Sequence, residues 1–101
     1  MKITIADYTF EGPFLKLSEL RPLRGVFAVV CLTEKGVSLL IDVDQAENIQ
    51  DAVRNHERKD CWKNNATGII GVAALYTPDL DPAGRRDIVE IIRRREFAPC
   101  G

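Results

Sequence analysis

Between Gly25 and Leu32 the chain reads GVFAVVCL, a nearly continuous apolar run of strand length. An alternating strand has one wet face, whereas a continuous run marks a strand buried on both. Thr33-Glu34-Lys35-Gly36 follows as a turn, with Gly36 free to adopt positive φ. Residues 37–43, VSLLIDV, then return, so the pattern predicts a hairpin. Residues 68–76, GIIGVAALY, predict a third strand whose glycines permit close packing, ended by Pro78. Residues 2–10, KITIADYTF, alternate and predict a short strand that Gly12-Pro13 stops. Leu15–Leu20 predicts a helical turn, ended by Pro22.

Two segments carry helical periodicity. Asp44-Gln45-Ala46-Glu47 resembles a capping box, with Asp44 accepting from the first amides and Glu47 reaching back. The helix it opens is predicted to run from 44 to about 58, with Ala46, Ile49, Val53 and His56 on one stripe. Asp81-Pro82 supplies an N-cap and a first-turn proline for a second helix over 81–96. Its apolar face is Ile88, Ile91 and Ile92, with Val89 beside them, and Arg93–Arg95 suit the negative end of its dipole. Lys59–Thr67 reads as a polar loop. The order strand, strand, helix, strand, helix gives an α+β class: a small three-stranded antiparallel sheet with flanking helices. Residues 1–101 form a single domain, with 1–23 as an N-terminal arm.

Composition narrows the function classes. The hydrophobic content of 46% suits one core, and a net charge of −1 does not suit a dedicated nucleic-acid binder. Charge is unevenly placed: residues 1–53 carry 5 basic and 8 acidic side chains, residues 54–101 carry 9 and 7. Cys31, Cys61 and Cys100 are odd in number and show no CxxC spacing, which predicts free thiols in a reducing cytoplasm. His56, Cys61 and Cys100 offer a zinc ion only three ligands at an unfamiliar spacing. No apolar run reaches membrane-spanning length, and no targeting pattern opens the chain.

The element order and several short motifs resemble the GIY-YIG nuclease family over residues 24–100. Gly25-Val26-Phe27 matches the first tripeptide, with Phe27 for its tyrosine. Asp42-Val43-Asp44 falls on the second tripeptide and replaces its tyrosine and glycine. Gln45–Ile49 matches the polar run that opens the family helix. The family arginine falls on Ala52, His56 falls where the family often has His or Tyr, and Glu90 matches the metal-binding glutamate, followed by Pro99. The resemblance implies a cation on the glutamate, tyrosines that handle the attacking water, and an arginine on the phosphate. Phe27 cannot accept a proton, and Ala52 offers a phosphate nothing. Losing one such electrostatic donor costs about two to three orders of magnitude in rate.

The resemblance therefore implies a scaffold that has lost nuclease chemistry and acts as an interaction module, without a cofactor. Nucleic acid and protein both remain open as partners, as does oligomeric state. Nucleic-acid binding would use Arg54, Arg58, Lys59 and Arg93, Arg94 and Arg95, if folding brings them to one face. The alternative is a metal-dependent DNA endonuclease in which Asp42 and Glu90 share a magnesium ion and His56, Tyr8 or Tyr76 accepts the proton. Simpler roles stand beside these. Glu90 lies opposite the isoleucine face at about 100° per residue, as a solvated glutamate would. His56 on a half-apolar stripe suits a hydrogen-bonded packing residue, Asp44 a helix cap, Trp62 core packing, and Arg93–Arg95 a solvated helix end.

Overall fold

The structure is a computed structural model covering residues 1–101. Five strands form one curled antiparallel sheet: β1 (Lys2–Ile5), β2 (Tyr8–Phe14), β3 (Gly25–Thr33), β4 (Gly36–Ala46) and β5 (Ile69–Tyr76), in the order β1-β2-β5-β3-β4. The helices are α1 (Ile49–Arg54), α2 (Lys59–Asn65) and α3 (Pro82–Arg95), and a 3₁₀ turn spans Leu17–Glu19. The α+β class holds. The expected three-stranded sheet does not, because the N-terminal arm supplies two further strands.

Those two strands escape the sequence pattern because their turn lacks the usual glycine or asparagine. Ala6 and Asp7 both take positive φ, 49° and 70°, and join Ile5 to its partner Tyr8 as a two-residue hairpin turn. Gly12-Pro13 does not stop the chain either. β2 continues to Phe14, and Pro13, which has no amide hydrogen, lies where the β2–β5 register shifts between Glu11 and Phe14.

β3 explains its own apolar run. It pairs with β4 on one side and β5 on the other, and Gly25 through Cys31 are all buried. Phe27, Val29 and Cys31 belong to a core shared with Leu20, Ile49, Val53 and Trp62, under the 3₁₀ turn, α1 and α2. Val26 and Ala28 belong to a second core with Phe10, Val89 and Ile92, under α3 and the β1–β2 hairpin. The sheet thus has a helix layer on each face. α3 buries Val89 and Ile92 of the expected face, with Ile88 packed against the core beside them, and Arg85 in addition; only Ile91 of the trio stays exposed.

The single helix expected over 44–58 is also corrected. β4 keeps pairing with β3 through Gln45 and Ala46, so Asp44 lies in a strand and caps nothing. Asn48 is the N-cap, accepting from the Asp51 amide at 3.0 Å. α1 ends at Arg54, and the expected loop over 59–67 is mostly helix, with Trp62 buried at its centre. Cys61 and Cys100 are not free thiols. They form a disulfide, Cα–Cα 5.9 Å, that ties α2 to the C-terminal tail, while Cys31 is free and buried. Spacing hid the pair because the two lie 39 positions apart. No helix is long and apolar enough to cross a membrane.

Candidate functional site

The densest polar cluster stands on β4, under α2. Asp42 and Asp44 are two residues apart on a strand, so both side chains project to the same face. Asp42 is completely buried and is saturated by protein donors. Its Oδ2 accepts from Arg58 Nε at 2.8 Å and from Trp62 Nε1 at 2.7 Å. Its Oδ1 accepts from Arg58 Nη2 at 3.2 Å and from the Val43 amide at 2.8 Å. Arg93 Nη2 stands 4.0 Å away and donates to the Val43 carbonyl at 2.8 Å. A buried carboxylate is tolerated only when paired and hydrogen-bonded in this way.

Asp44 extends the cluster. Its Oδ2 accepts from Arg58 Nη2 at 3.1 Å and faces His56 Nε2 at 3.0 Å. The Arg58 amide donates to His56 Nδ1 at 3.1 Å, which puts the ring proton on Nε2, so His56 donates to Asp44. The His56 ring meets Phe27 edge-on at 5.7 Å and lies 4.8 Å from the Trp62 ring. The Arg58 guanidinium is held above the ordinary arginine value. Its hydrogen bond to Asp42 is the main cause; desolvation opposes it, and the charges of Asp42 and Asp44 add to it.

The fold thus gathers three of the positions singled out by the resemblance: Phe27, Asp42 and His56. Ala52 is partly buried on α1 and packs against the core. Glu90 is exposed on α3 and pairs with Arg94 at 3.6 Å. Neither joins the cluster. Nor do the tyrosines: Tyr76 Oη accepts from the Arg21 amide at 2.9 Å, and Tyr8 packs on the α3 side of the sheet. A magnesium ion shared by Asp42 and Glu90 does not fit this arrangement. Asp42 has both oxygens occupied and no access to solvent, and Glu90 pairs with Arg94 on the exposed side of α3.

The six basic residues expected to meet nucleic acid are largely engaged within the chain. Arg54 pairs with Asp51 at 3.4 Å, Arg94 with Glu90, and Arg95 with Asp7 at 2.9 Å. Arg58 and Arg93 serve the Asp42 cluster, and Lys59 Nζ donates to the Arg54 carbonyl. Arg85, a basic residue that also counted among the possible nucleic-acid contacts, is fully buried instead. It donates to Gln45 Oε1 at 2.9 Å, to the Leu80 carbonyl at 2.9 Å and to Glu47, fastening the start of α3 to the end of β4. Arg58 and Trp62 were missed as partners of Asp42. Two aspartates spaced two apart in an otherwise apolar strand were the available signal.

Beside the cluster, a cavity of about 280 Å³ opens between the 3₁₀ turn, α1 and α2. Trp62 belongs to both: its N–H is fixed to Asp42, and its ring helps to line the cavity. Comparison with family models, curated proteins and solved structures returns no match.

Proposed function

We propose that this chain has an interaction role rather than phosphodiester chemistry, with a protein as its partner. The observation that carries this reading is the saturation of Asp42. A catalytic group must present a free lone pair or proton to its substrate. Asp42 presents neither, because Arg58, Trp62 and the Val43 amide occupy both its oxygens. Beside it, Phe27 lacks polar side-chain atoms and His56 has both ring nitrogens engaged, and Ala52, on α1 outside the cluster, offers a phosphate nothing. The cluster supports a structural role: it fixes α2 on the sheet.

A protein partner is favoured over nucleic acid because most of the basic side chains expected to meet phosphate already hold acids or carbonyls of this chain. Recruiting them would first break those contacts, which reduces the gain from counterion release. The test is incubation of purified protein with supercoiled plasmid and magnesium or manganese. The expected result is no nicking above a mock purification. Nicking that persists in the wild type and disappears in Glu90→Ala would overturn the reading.

A further inference from the structure

We infer that the cavity beside Trp62 is a docking site for an acidic peptide segment carrying a large apolar side chain. This inference rests on the interaction-module reading and names the chemistry of its partner. The floor is apolar: Leu17, Leu20, Val53 and Trp62 line it, with Ile70 and Val72 from β5. The rim is cationic: Lys16, Arg54, Lys59 and Lys63 border the opening, and no carboxylate lines it. The chain as a whole has 14 basic and 15 acidic side chains; Arg54 is paired with Asp51, so the uncompensated charge of the lining is that of Lys16, Lys59 and Lys63. Lys16, Lys59 and Lys63 take part in no ion pair within the chain.

Size and composition select the occupant. At about 280 Å³ the cavity lies just below the ~300–1,000 Å³ of sites that enclose a whole small ligand. It suits an anchoring side chain whose flanks lie across the rim. Base stacking needs an accessible aromatic face, and Trp62, the lone tryptophan, is only 4% exposed, with its N–H committed to Asp42. Leu15, at the mouth, is 60% exposed, an unusual position for a large apolar side chain with four cations close by. Apolar burial would supply the affinity, and the lysines would select acidic flanks and speed encounter. The buried cluster positions this surface, since Arg58 and Trp62 hold α2, whose Lys59 and Lys63 project one turn apart along the rim.

The experiment is selection of a display library of short random peptides on the intact, disulfide-bonded protein. Leu15→Glu and Lys63→Glu variants serve as the counter-screen, and Lys35→Glu, in the β3–β4 turn and outside the cavity lining, as the charge control. Circular dichroism establishes that each variant is folded, which the exposure of Leu15, Lys35 and Lys63 favours; Lys59 is half-buried, so its double variant is read beside Lys63→Glu alone. The expected outcome is enrichment of peptides with Asp or Glu flanking Leu, Ile, Met or Phe. Affinity for a selected peptide should fall about tenfold or more in Lys59→Glu/Lys63→Glu and in Leu15→Glu, stay unchanged in Lys35→Glu, and weaken with added salt. No enrichment, enrichment of basic or wholly polar peptides, or a single-stranded oligonucleotide that binds as tightly and loses affinity in the same variants would overturn the inference. Plasmid nicking tests the module reading separately: a protein that neither cleaves nor selects peptides loses this inference alone.

Discussion

Arg58 clasps Asp42 at two points, Nε to Oδ2 at 2.8 Å and Nη2 to Oδ1 at 3.2 Å, across the gap between α2 and β4. The carboxylate is fully buried and the guanidinium is about 29% exposed, so water screens the pair from one side only. Removing Arg58 leaves Asp42 a buried charge held only by the Trp62 and Val43 N–H groups, whereas removing Asp42 leaves Arg58 part-exposed and still paired with Asp44. Arg58→Met and Asp42→Ala are each expected to cost about 3–5 kcal/mol, a large part of the stability of a domain this size. Arg58→Lys is expected to recover only part of the loss, because an ammonium cannot make the two-point contact. The double variant Asp42→Leu/Arg58→Met should be more stable than either single Arg58→Met or Asp42→Ala. Urea unfolding of the four proteins checks this, and additive losses in the double variant would contradict it.

Trp62 isolates a second contribution to the same carboxylate. Its indole N–H donates to Asp42 Oδ2 at 2.7 Å while its ring packs in the core. Trp62→Phe keeps much of the apolar surface and removes the donor, so the expected loss is about 1.5–3 kcal/mol, as for a hydrogen bond to a charged group. In the wild type, the buried position of the single tryptophan predicts blue-shifted emission that moves to the red on unfolding. Equal stability of Trp62→Phe and wild type by chemical denaturation would remove the hydrogen bond from this account.

The parts of the fold that were legible in the sequence are those with strong local chemistry. The apolar run at 25–32, the Gly36 turn and the Asp81-Pro82 start reappear as β3, its hairpin with β4, and α3 with Asp81 accepting from the Gly84 amide at 2.8 Å. Asp44 failed as a helix start because a capping sequence is only a local preference. Pairing of Gln45 and Ala46 with β3, and the ties of Asp44 to His56 and Arg58, keep that segment in the strand. The β1–β2 hairpin was hidden by a turn made from Ala6 and Asp7, which carry no glycine signal. The candidate site was half legible. Phe27, Asp42 and His56 do meet, but of their partners Trp62 lies in a segment read as a loop and Arg58 at the end of the expected helix, and contacts between distant segments leave no local periodicity.

Nucleic-acid binding is expected to be weak. Arg54, Arg94 and Arg95 already hold Asp51, Glu90 and Asp7. The logarithm of affinity should fall with the logarithm of salt with a slope shallower than about −2, since each duplex phosphate neutralised contributes about −0.9. Replacing Arg94 and Arg95 by Gln should flatten it further. Titration of labelled single- and double-stranded oligonucleotides at low and moderate salt checks this. Tight, sequence-selective binding that survives moderate salt would contradict both the slope and the choice of a protein partner.

The Cys61–Cys100 disulfide closes a loop of 39 residues that contains β5 and α3. Closing a loop of that length restricts the unfolded chain, and the chain-entropy relation gives about 4 kcal/mol for it. Both cysteines pack against the core on the α2 side, where the Cys100 amide also donates to the Ile41 carbonyl at 2.9 Å. The tail therefore retains some native contacts without the bond. Reduction, or the Cys61→Ala/Cys100→Ala variant, is expected to lower stability by roughly 2–4 kcal/mol and to leave a folded protein, because the pairing of β3 with β4 and β5 and the core under α3 do not involve the tail. Loss is expected first at α2, which the disulfide joins to the C-terminus, so amide exchange should accelerate over Lys59–Asn65 before it does in β3. Hydrogen exchange with and without reductant, beside thermal melts of the double variant, measures both effects. Uniform acceleration across β3 and α2 would show instead that the disulfide stabilises the domain only as a whole.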